Sequence, residues 1–337
     1  MALSGHPGQG NHGTSGGECC HNAPVLSSQG LVLLNPTAGN GRAGRMAERL
    51  AALVSGDVEV VVPHSADHGS ELALEAARSG LRVVAAGGDG TVQAVLNGLM
   101  AAGTPGEMGI VPIGSGNDLA RSLGLPRALG RAVDVALHAP AGPIDVGLAR
   151  AGDSSRWFGS AAGVGFDAQV ATAMAGRRGR LQRGPVGYLA TTLAELRRSH
   201  NHRVRLRLER EDGTSAGTEL TILLAAVANG VYYGGGMRIA PDASVTDGWF
   251  DLITVADVSR LTALRQLPNL YRGTHLRHPA VSAARVRSVE IEALDGQPLA
   301  LHLDGEPWRA APVRLELHAG ALAVARSTPR RSASLQP

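Results

Sequence analysis

The segment RVVAAGGDGT, residues 82–91, joins an apolar run to a glycine-rich turn that holds one aspartate. The apolar run predicts a strand buried on both faces, and a helix is predicted directly after it at residues 91–101. Glycines let the backbone approach phosphate oxygens closely, and the amino end of the helix supplies unpaired amides. Asp89 beside such a site indicates a metal ion or a metal-bound water between the carboxylate and the phosphate. A turn aspartate that only caps the helix is the alternative.

Outward from this segment, short apolar runs alternate with amphipathic stretches between about residues 30 and 138. The alternation predicts a parallel sheet with helices on both faces, and ligands bind beyond the carboxyl ends of the strands in such sheets. The predicted strands are 31–34, 58–62, 82–86 and 108–112, and the predicted helices are 43–54, 69–78 and 91–101. Glycine-rich segments follow three of the strands and are expected to open on one rim: 35–41, 87–91 and 114–118.

The pattern changes after residue 138 to alternating polar and apolar residues, for example at 203–208 and 285–291. This predicts an antiparallel β domain, interrupted by helices near 186–198 and 259–270. The predicted organisation is a disordered tail at 1–28, a first domain at 29–138, a second domain at 139–326 and a frayed tail at 327–337.

Length and composition limit the classes of protein to consider. The 337 residues are 44% hydrophobic and 18% charged, with a net charge of +3, which indicates a globular protein of about two domains. All 32 basic residues are arginines, so phosphate loops and Schiff bases that need a lysine are excluded. The two cysteines, Cys19 and Cys20, are adjacent and form no disulfide framework. Neither a leader nor a spanning segment is evident, so a cytoplasmic protein with at most peripheral membrane contact is expected.

Nine short motifs follow one another along the chain. They are NPTAG at 35–39, GGDGT at 87–91, PIGSGNDLAR at 112–121, IDVG at 144–147, GVGFDA at 163–168, YYGGGM at 232–237, IAPDA at 239–243, DGWFD at 247–251 and LDGEP at 303–307. In this order they resemble the diacylglycerol kinase catalytic family, in particular its soluble bacterial lipid-kinase branch, which is related to the sphingosine and ceramide kinases. The resemblance runs from about residue 31 to residue 325.

The resemblance implies an αβα nucleotide-binding domain with a parallel sheet, followed by an antiparallel β-sandwich domain, with the active site in the cleft between them. It also implies ATP- and Mg²⁺-dependent phosphorylation of a lipid hydroxyl, with diacylglycerol as the first candidate and phosphatidic acid as its product. Two positions depart from the family pattern: Ala38 replaces a serine, and Ser115 replaces a threonine but keeps the hydroxyl. The implied nucleotide-binding residues are Asn35, Pro36, Thr37, Gly39, Gly87, Gly88, Asp89, Gly90, Thr91, Val92, Gln93, Gly114, Ser115, Gly116 and Asn117.

Acidic residues from separate motifs are the candidates for the chemistry. The resemblance implies that Asp304 or Glu306 is the base that accepts the hydroxyl proton, and Asp304 is preferred. Asp89, Asp118 and Asp167 would form a network that holds catalytic magnesium through water. Without the other motifs, the turn that carries the candidate base is better interpreted as a hairpin with exposed acids.

A second magnesium site is implied by the turn that contains DGW. Asp247 would supply a carboxylate, and Ser244 and Trp249 would supply backbone carbonyl oxygens. Hard cations accept such oxygen ligands readily, and the family site that this turn resembles is structural.

Possible partners are indicated by charge. The arginine-rich segment at 177–183 either meets anionic lipid headgroups at a membrane surface or is a solvated loop. Nucleic-acid binding is disfavoured, because no recognition motif is present and aromatic residues make up only 3% of the chain. A homodimer is compatible with the sequence, which does not define the oligomeric state.

Three other functions stay open at this point: a sphingoid-base kinase, a soluble nucleotide kinase of the NAD kinase type, and a nucleotide-binding regulator without catalysis. The SGNDLAR stretch at 115–121 and the terminal Asp-Gly-Glu favour the lipid branch. The complete set of acidic residues argues against a silent regulator, because a sensor needs phosphate loops but no base.

Overall fold

The computed structural model describes residues 30–54, 57–103, 106–175, 185–199, 201–210, 213–294, 299–310 and 312–327. The predicted tail at 1–28, the predicted tail from residue 328 onward and the arginine-rich segment at 177–183 lie outside the described residues.

The N-terminal half contains a parallel sheet, as predicted, and the structure shows its strand order to be β2-β1-β3-β4. Alternate residues of a strand point to opposite faces. In β1, Leu31 and Leu33 therefore pack with α2 and α3, whereas Val32 and Leu34 pack with α1 and α5. The elements of this half are β1 (Gly30–Leu34), α1 (Ala38–Leu53), β2 (Val58–Val61), α2 (Ala66–Arg78), β3 (Arg82–Gly87), α3 (Asp89–Ala101), β4 (Glu107–Pro112), α4 (Asp118–Ser122) and α5 (Leu129–His138).

The C-terminal half is antiparallel, also as predicted. Strand β9 pairs with β7, β8 and β10, and β11 pairs with β8, β10 and β14. The sequence did not indicate α6, which follows β7 directly. The elements are β5 (Ala141–Ala151), β6 (Ser154–Phe158), β7 (Ala161–Gly165), α6 (Phe166–Ala175), α7 (Pro185–Arg198), β8 (His202–Arg210), β9 (Ser215–Ala228), β10 (Phe250–Ala256), α8 (Arg260–Arg272), a 3₁₀ turn (His275–Arg277), β11 (Val281–Ala293), β12 (Leu299–Leu303), β13 (Glu306–Ala310) and β14 (Val313–Ala325).

Strand β14 connects the two halves. It pairs in parallel with β4 at Ala323 and Val324, and in antiparallel with β5 and β11. Within the described residues, fourteen strands therefore form one hydrogen-bonded system. The predicted domain boundary between residues 138 and 139 falls in the short connection from α5 to β5, and it stays a prediction.

The contact between α2 and α3 gives a first testable prediction. A Cβ atom on Gly98 in α3 would lie 2.2 Å from the backbone oxygen of Ser70 and 2.7 Å from Cβ of Ala73. Overpacking of this kind costs about 1–3 kcal/mol, so Gly98→Ala should lower the free energy of unfolding by that amount in denaturant titrations. Gly130→Ala in α5 is the matched control, because nothing lies within 4 Å of its added Cβ. Wild-type stability in the Gly98 variant would contradict the packing described here.

Candidate active site

The three glycine-rich segments meet at the carboxyl edge of the parallel sheet. The amide of Asn35 donates to the carbonyl of Ala86 at 3.1 Å, and the amide of Gly114 donates to the carbonyl of Gly87 at 3.0 Å. A Cβ atom on Gly114 would lie 2.4 Å from Cα of Gly88, so the second and third segments approach as closely as backbone allows. The three glycine-rich segments therefore lie together on one rim of the sheet, as the sequence predicted.

A cavity of about 650 Å³ opens on this rim. Six of the predicted nucleotide-binding residues line it: Asn35, Pro36, Thr37, Gly90, Thr91 and Gln93. The Asn35 carboxamide oxygen accepts from both the amide and the hydroxyl of Thr37, at 3.0 and 2.8 Å, which shapes the loop beside Ala38. The buried Thr91 hydroxyl has no hydrogen-bond partner in the structure.

The other predicted nucleotide-binding residues have varied positions. Ser115 is exposed on the rim, and Asn117 is buried, with its carboxamide nitrogen donating to the carbonyl of Gly114 at 2.8 Å. Val92 is buried in the hydrophobic core between the sheet and α3, so its side chain does not face the cavity. The side-chain nitrogen Nε2 of Gln93 donates to the carbonyl of Leu303 at 2.8 Å, so this side chain connects α3 to the turn of the C-terminal half. Gly39, with φ +59°, packs against the end of β4.

Asp89 and Asp118 form a close acidic pair. The Asp89 carboxylate accepts from the backbone amides of Asn117 at 2.8 Å and Asp118 at 2.7 Å. Gly116 precedes Asn117 in the chain. A Cβ atom on Gly116 would lie 2.3 Å from the Asp89 carboxylate, so only glycine fits at this position. Asp118 Oδ2 accepts from the amide of Gly235 at 2.9 Å, whereas its Oδ1 is buried and has no hydrogen-bond partner among the described residues.

Burial raises the pKa values of both carboxyls of this pair, and repulsion by Asp89 adds to the shift of Asp118. Burial, followed by the nearby Asp89 carboxylate, raises the pKa of Asp118 to about 7. Burial also raises the pKa of Asp89 above its ordinary value, although three backbone amides, those of Asp118, Asn117 and Asp89 itself, and Arg121 oppose the shift. The Asp118 carboxyl would be fully ionised near neutral pH only with further positive charge, so the pair is suited to a cation.

Asp304 and Glu306 lie at the two sides of the turn between β12 and β13, and they point apart. Positive φ angles at Asp304 (51°) and Gly305 (85°) reverse the chain in a tight hairpin. The Asp304 carboxylate accepts from three successive backbone amides at 2.7, 2.8 and 3.0 Å, those of Gly159, Ser160 and Ala161. Burial raises its pKa, and the Asp89 carboxylate adds to the effect.

Glu306 is exposed and lines the cavity at the rim. Its carboxylate lies 3.0 Å from the point where a Cβ on Gly90 would be, directly beside the glycine-rich turn. In this turn, backbone amides therefore hold the Asp304 carboxylate, whereas the Glu306 carboxylate faces the cavity.

Asp167 does not join the Asp89 and Asp118 pair by any hydrogen bond in the described part of the chain. Its Oδ2 lies 3.4 Å from Nε2 of His302, and both side chains are buried. Because the amide of Gly305 donates to His302 Nδ1 at 3.2 Å, the geometry assigns the ring proton to Nε2, facing Asp167. The pair therefore supports the turn that carries Asp304 and Glu306.

Asp247, proposed from the sequence as a magnesium ligand, contacts an arginine. Its Oδ2 lies 2.5 Å from the Arg285 guanidinium, and its Oδ1 accepts from the amide of Trp249 at 3.1 Å. The Ser244 hydroxyl lies 3.2 Å from that of Thr246. A magnesium ion bound here would have to displace Arg285 from the carboxylate, so the structural magnesium site stays a prediction.

Magnesium-dependent melting tests this site. We expect magnesium to raise the Tm of wild type more than that of Asp247→Ala, because ligand binding to the folded state stabilises it. Arg285→Ala should enlarge the shift, since the competing cation is gone. If magnesium raised the Tm of wild type and of Asp247→Ala equally, Asp247 would bind no magnesium, and its role would be the ion pair with Arg285.

Several side chains of the site were not singled out from the sequence. Arg121 donates from Nε to the carbonyl of Gly116 at 2.6 Å and lies near enough to lower the pKa values of Asp89 and Asp118. Its place in the SGNDLAR motif was the available signal. Arg156 lines the rim cavity from β6, and no sequence signal indicated it.

A second, apolar cavity of about 130 Å³ lies in the C-terminal half, enclosed by α6, α8 and the strands β9 and β10. Tyr233 lines it, two residues before the glycine whose amide binds Asp118. Tyr271 also lines this cavity. Burial and the nearby Asp118 carboxylate raise the pKa of its hydroxyl. Two residues that line the apolar cavity, Tyr233 and Tyr271, therefore lie close in the chain or in space to the contacts of Asp118.

Comparisons with known proteins identify the family. Residues 29–149 match the family model described as the diacylglycerol kinase catalytic domain, and residues 160–326 match the model described as the YegS C-terminal NAD kinase beta sandwich-like domain. A diacylglycerol kinase from Mycobacterium tuberculosis (strain CDC 1551 / Oshkosh) is 34% identical over 303 residues, which cover 88% of this chain and 94% of that protein. The chain belongs to the diacylglycerol kinase family. It is a lipid kinase, and the resemblance stated from the motifs is confirmed.

Other members of the diacylglycerol kinase family agree with this assignment. A protein of Chromohalobacter salexigens named as a probable YegS-like lipid kinase is 36% identical over 261 residues, covering 76% of this chain and 80% of its own length. A crystal structure of a diacylglycerol kinase from Bacillus anthracis str. Sterne overlays with a TM-score of 0.63 at 20% identity, covering 89% of this chain and 97% of that chain. The two-part fold is thus the fold of a diacylglycerol kinase. None of the helices among the described residues has the length and hydropathy that a membrane span requires.

Proposed function

We propose that this lipid kinase transfers the γ-phosphoryl group of ATP to the free hydroxyl of diacylglycerol and releases phosphatidic acid. One observation carries the proposal: neighbours of the acidic pair line both cavities. Gly90, which follows Asp89, lines the glycine-rich rim cavity, and Tyr271, whose pKa the Asp118 carboxylate raises, lines the apolar cavity. A polar cavity lined by phosphate-type loops suits a nucleotide, and an apolar one suits a hydrocarbon tail. The reacting hydroxyl would lie between them.

The rim cavity supports ATP as the donor. Its volume of about 650 Å³ is in the range of sites for ligands of this size. Loop amides and the unpartnered Thr91 hydroxyl offer donors to phosphate oxygens. Because the chain has no lysine, the side-chain cations available at the site are arginines, and Arg156 lines the cavity.

The acidic pair fits a magnesium ion. Asp118 Oδ1 is buried without a partner, which is the state expected of a ligand atom or of an acceptor for a metal-bound water. In the described residues, no three His, Cys, Asp or Glu side chains converge on one point. Asp89 and Asp118 would therefore hold magnesium mainly through water and substrate phosphates, as that ion prefers. Bound there, it would neutralise charge on the phosphates during transfer.

Glu306 is the base in this proposal. It is exposed toward the rim cavity, so its carboxylate is available to accept the proton of the lipid hydroxyl. The Asp304 carboxylate already accepts three backbone amides and lines neither cavity, so a lipid hydroxyl has less access to it than to Glu306. Glu306 thus takes the role for which the sequence favoured Asp304, and Asp304 orients the turn.

The apolar cavity supports an acyl chain as the group recognised. Its present volume of about 130 Å³ holds only a small apolar group, so a lipid tail requires α8 to move outward. No side chain of α8 is fully buried, which makes such a movement inexpensive. Relatives named diacylglycerol kinase favour a diacylglycerol over a sphingoid base.

A phosphoryl-transfer panel tests the proposal. Radiolabelled ATP and magnesium would be supplied with diacylglycerol, ceramide or a sphingoid base in mixed micelles, and with NAD as the soluble control. We expect label in phosphatidic acid and none in NADP. If a sphingoid base were labelled in preference to diacylglycerol, the proposed acceptor would be wrong, although the chain would still act as a lipid kinase.

A further inference from the structure

Helix α8 has an apolar outer face that nothing in the described chain covers. Leu261, Leu264 and Tyr271 are 55%, 37% and 49% exposed, and they are three of the five large hydrophobic side chains exposed in the described residues. Tyr271 also lines the apolar cavity, so it lies at the edge of the outer face. Together with the exposed Pro268, their spacing of three or four residues aligns them on one side of the helix. An apolar stripe of this kind on a surface helix indicates an interaction surface.

The same face is basic. Arg265 and Arg272 are exposed next to Leu264 and Tyr271, and no carboxylate in the described residues pairs with either arginine. From residue 258 to residue 289 the chain has six arginines and no aspartate or glutamate. A helix with exposed leucines, a proline and unpaired arginines has the composition of one that lies in a membrane interface.

The inner face of α8 forms a wall of the apolar cavity, through Ala263, Leu267 and Leu270. The helix therefore separates the cavity from solvent. Whatever contacts the outer face lies one helix diameter from the acyl-chain site of the proposed function.

We propose that the outer face of α8 docks on an anionic lipid bilayer, with Leu261 and Leu264 among the acyl chains and Arg265 and Arg272 at the headgroup phosphates. This inference rests on the proposed function, because docking would place the apolar cavity beside diacylglycerol in the bilayer. A second copy of the chain is the weaker occupant. A two-fold interface would oppose this basic face to itself, arginine against arginine.

Vesicle binding in the absence of ATP tests the docking by itself. The full chain would be sedimented with vesicles of phosphatidylcholine alone and of equal parts phosphatidylcholine and phosphatidylglycerol. We expect binding to the anionic vesicles, and a loss of about tenfold or more in the double variant Arg265→Glu/Arg272→Glu, since each basic residue near such a surface contributes about fivefold. Leu261→Asp/Leu264→Asp should lose binding to a similar extent.

Matched controls come from the N-terminal half. Leu53→Asp replaces an exposed leucine of α1, and Arg78→Glu replaces an exposed arginine of α2. Both should bind anionic vesicles as wild type does. Binding by the α8 variants at wild-type strength, or no binding by wild type, would overturn the docking surface. It would also be overturned if Leu261→Asp/Leu264→Asp converted a dimer to a monomer without changing vesicle binding.

Kinase assays separate this inference from the proposed function. With a dispersed short-chain diacylglycerol, the α8 variants should turn over at the wild-type rate, because Leu261, Leu264, Arg265 and Arg272 do not line either cavity. With diacylglycerol embedded in anionic vesicles, the same variants should be slowed in proportion to their lost binding. A wild-type chain that binds vesicles but phosphorylates no lipid would contradict the proposed function and leave the docking surface intact.

Discussion

Glu306→Gln is expected to lower kcat by about 10²–10⁴-fold while nucleotide affinity stays close to wild type. The amide cannot accept a proton from the lipid hydroxyl, but it keeps the size of the glutamate. The acidic pair and most of the rim lie on the N-terminal half, so ground-state binding of the nucleotide does not depend on this side chain. Turnover at saturating magnesium and a fluorescent-nucleotide titration would measure the two effects separately.

Asp304→Asn provides the informative comparison. Its carboxylate accepts three backbone amides, and an amide nitrogen facing them would leave at least one unpaired, at a cost of about 1–3 kcal/mol. We expect this variant to lose stability as well as turnover, whereas Glu306→Gln should melt like wild type. An inactive Asp304→Asn of normal stability, beside an active Glu306→Gln, would return the role of base to Asp304. Glu75→Gln on the exposed side of α2 is the control for glutamate replacement.

The N-terminal half could be predicted well, because its signals are local. Uniform apolar strands and the glycine turns that follow them depend on neighbouring residues alone. Helix boundaries were less accurate. Helix α1 begins at Ala38, five residues before the predicted start, since two glycines with positive φ, Gly39 and Gly41, are included in its first turn. The sequence there is equally typical of a loop.

Helix α6 was missed for a physical reason. Its sequence FDAQVATAMA has a weak amphipathic pattern and no charged residue in its last turn, so helical periodicity is hard to see. Phe166, Asp167 and Val170 are nonetheless buried, because the helix packs against β7 and β12. Tertiary packing, which the sequence does not display, stabilises it.

The sequence predicted which glycine-rich segments meet at the rim, but not the directions of the acidic side chains. Two acids separated by one residue would share a face in an extended strand, yet the positive φ angles at Asp304 and Gly305 turn them apart. Contact between Asp167 and His302 joins residues that are 135 positions apart in the chain. Such long-range pairs follow from topology rather than from a motif. The basic segment at 177–183 lies outside the described residues, so its contact with lipid headgroups stays a prediction.

Asp118→Asn is expected to abolish measurable transfer and, in the absence of metal, to stabilise the protein above neutral pH. The asparagine keeps an acceptor for the Gly235 amide and removes a charge beside Asp89. Burial raises the pKa of Asp118 from an ordinary value of 3.8 to about 7, so the folded state disfavours the ionised form. Removing that penalty is worth on the order of 2–4 kcal/mol, which denaturant titration in the presence of a chelator would detect.

The pH dependence of this gain identifies its cause. A carboxyl whose folded pKa is raised contributes its full stability below its unfolded pKa of 3.8 and loses it as pH rises through about 7. Wild type should therefore match Asp118→Asn in stability below about pH 4, fall behind it progressively up to about pH 7, and stay at a constant deficit beyond. Magnesium should narrow the deficit, because a cation stabilises the ionised pair that the reaction needs. Asp134→Asn, an exposed aspartate on α5, should show no such gain. A pH-independent difference, or a destabilised Asp118→Asn above neutral pH, would mean that the Asp118 carboxylate is compensated within the protein and that no cation is required there.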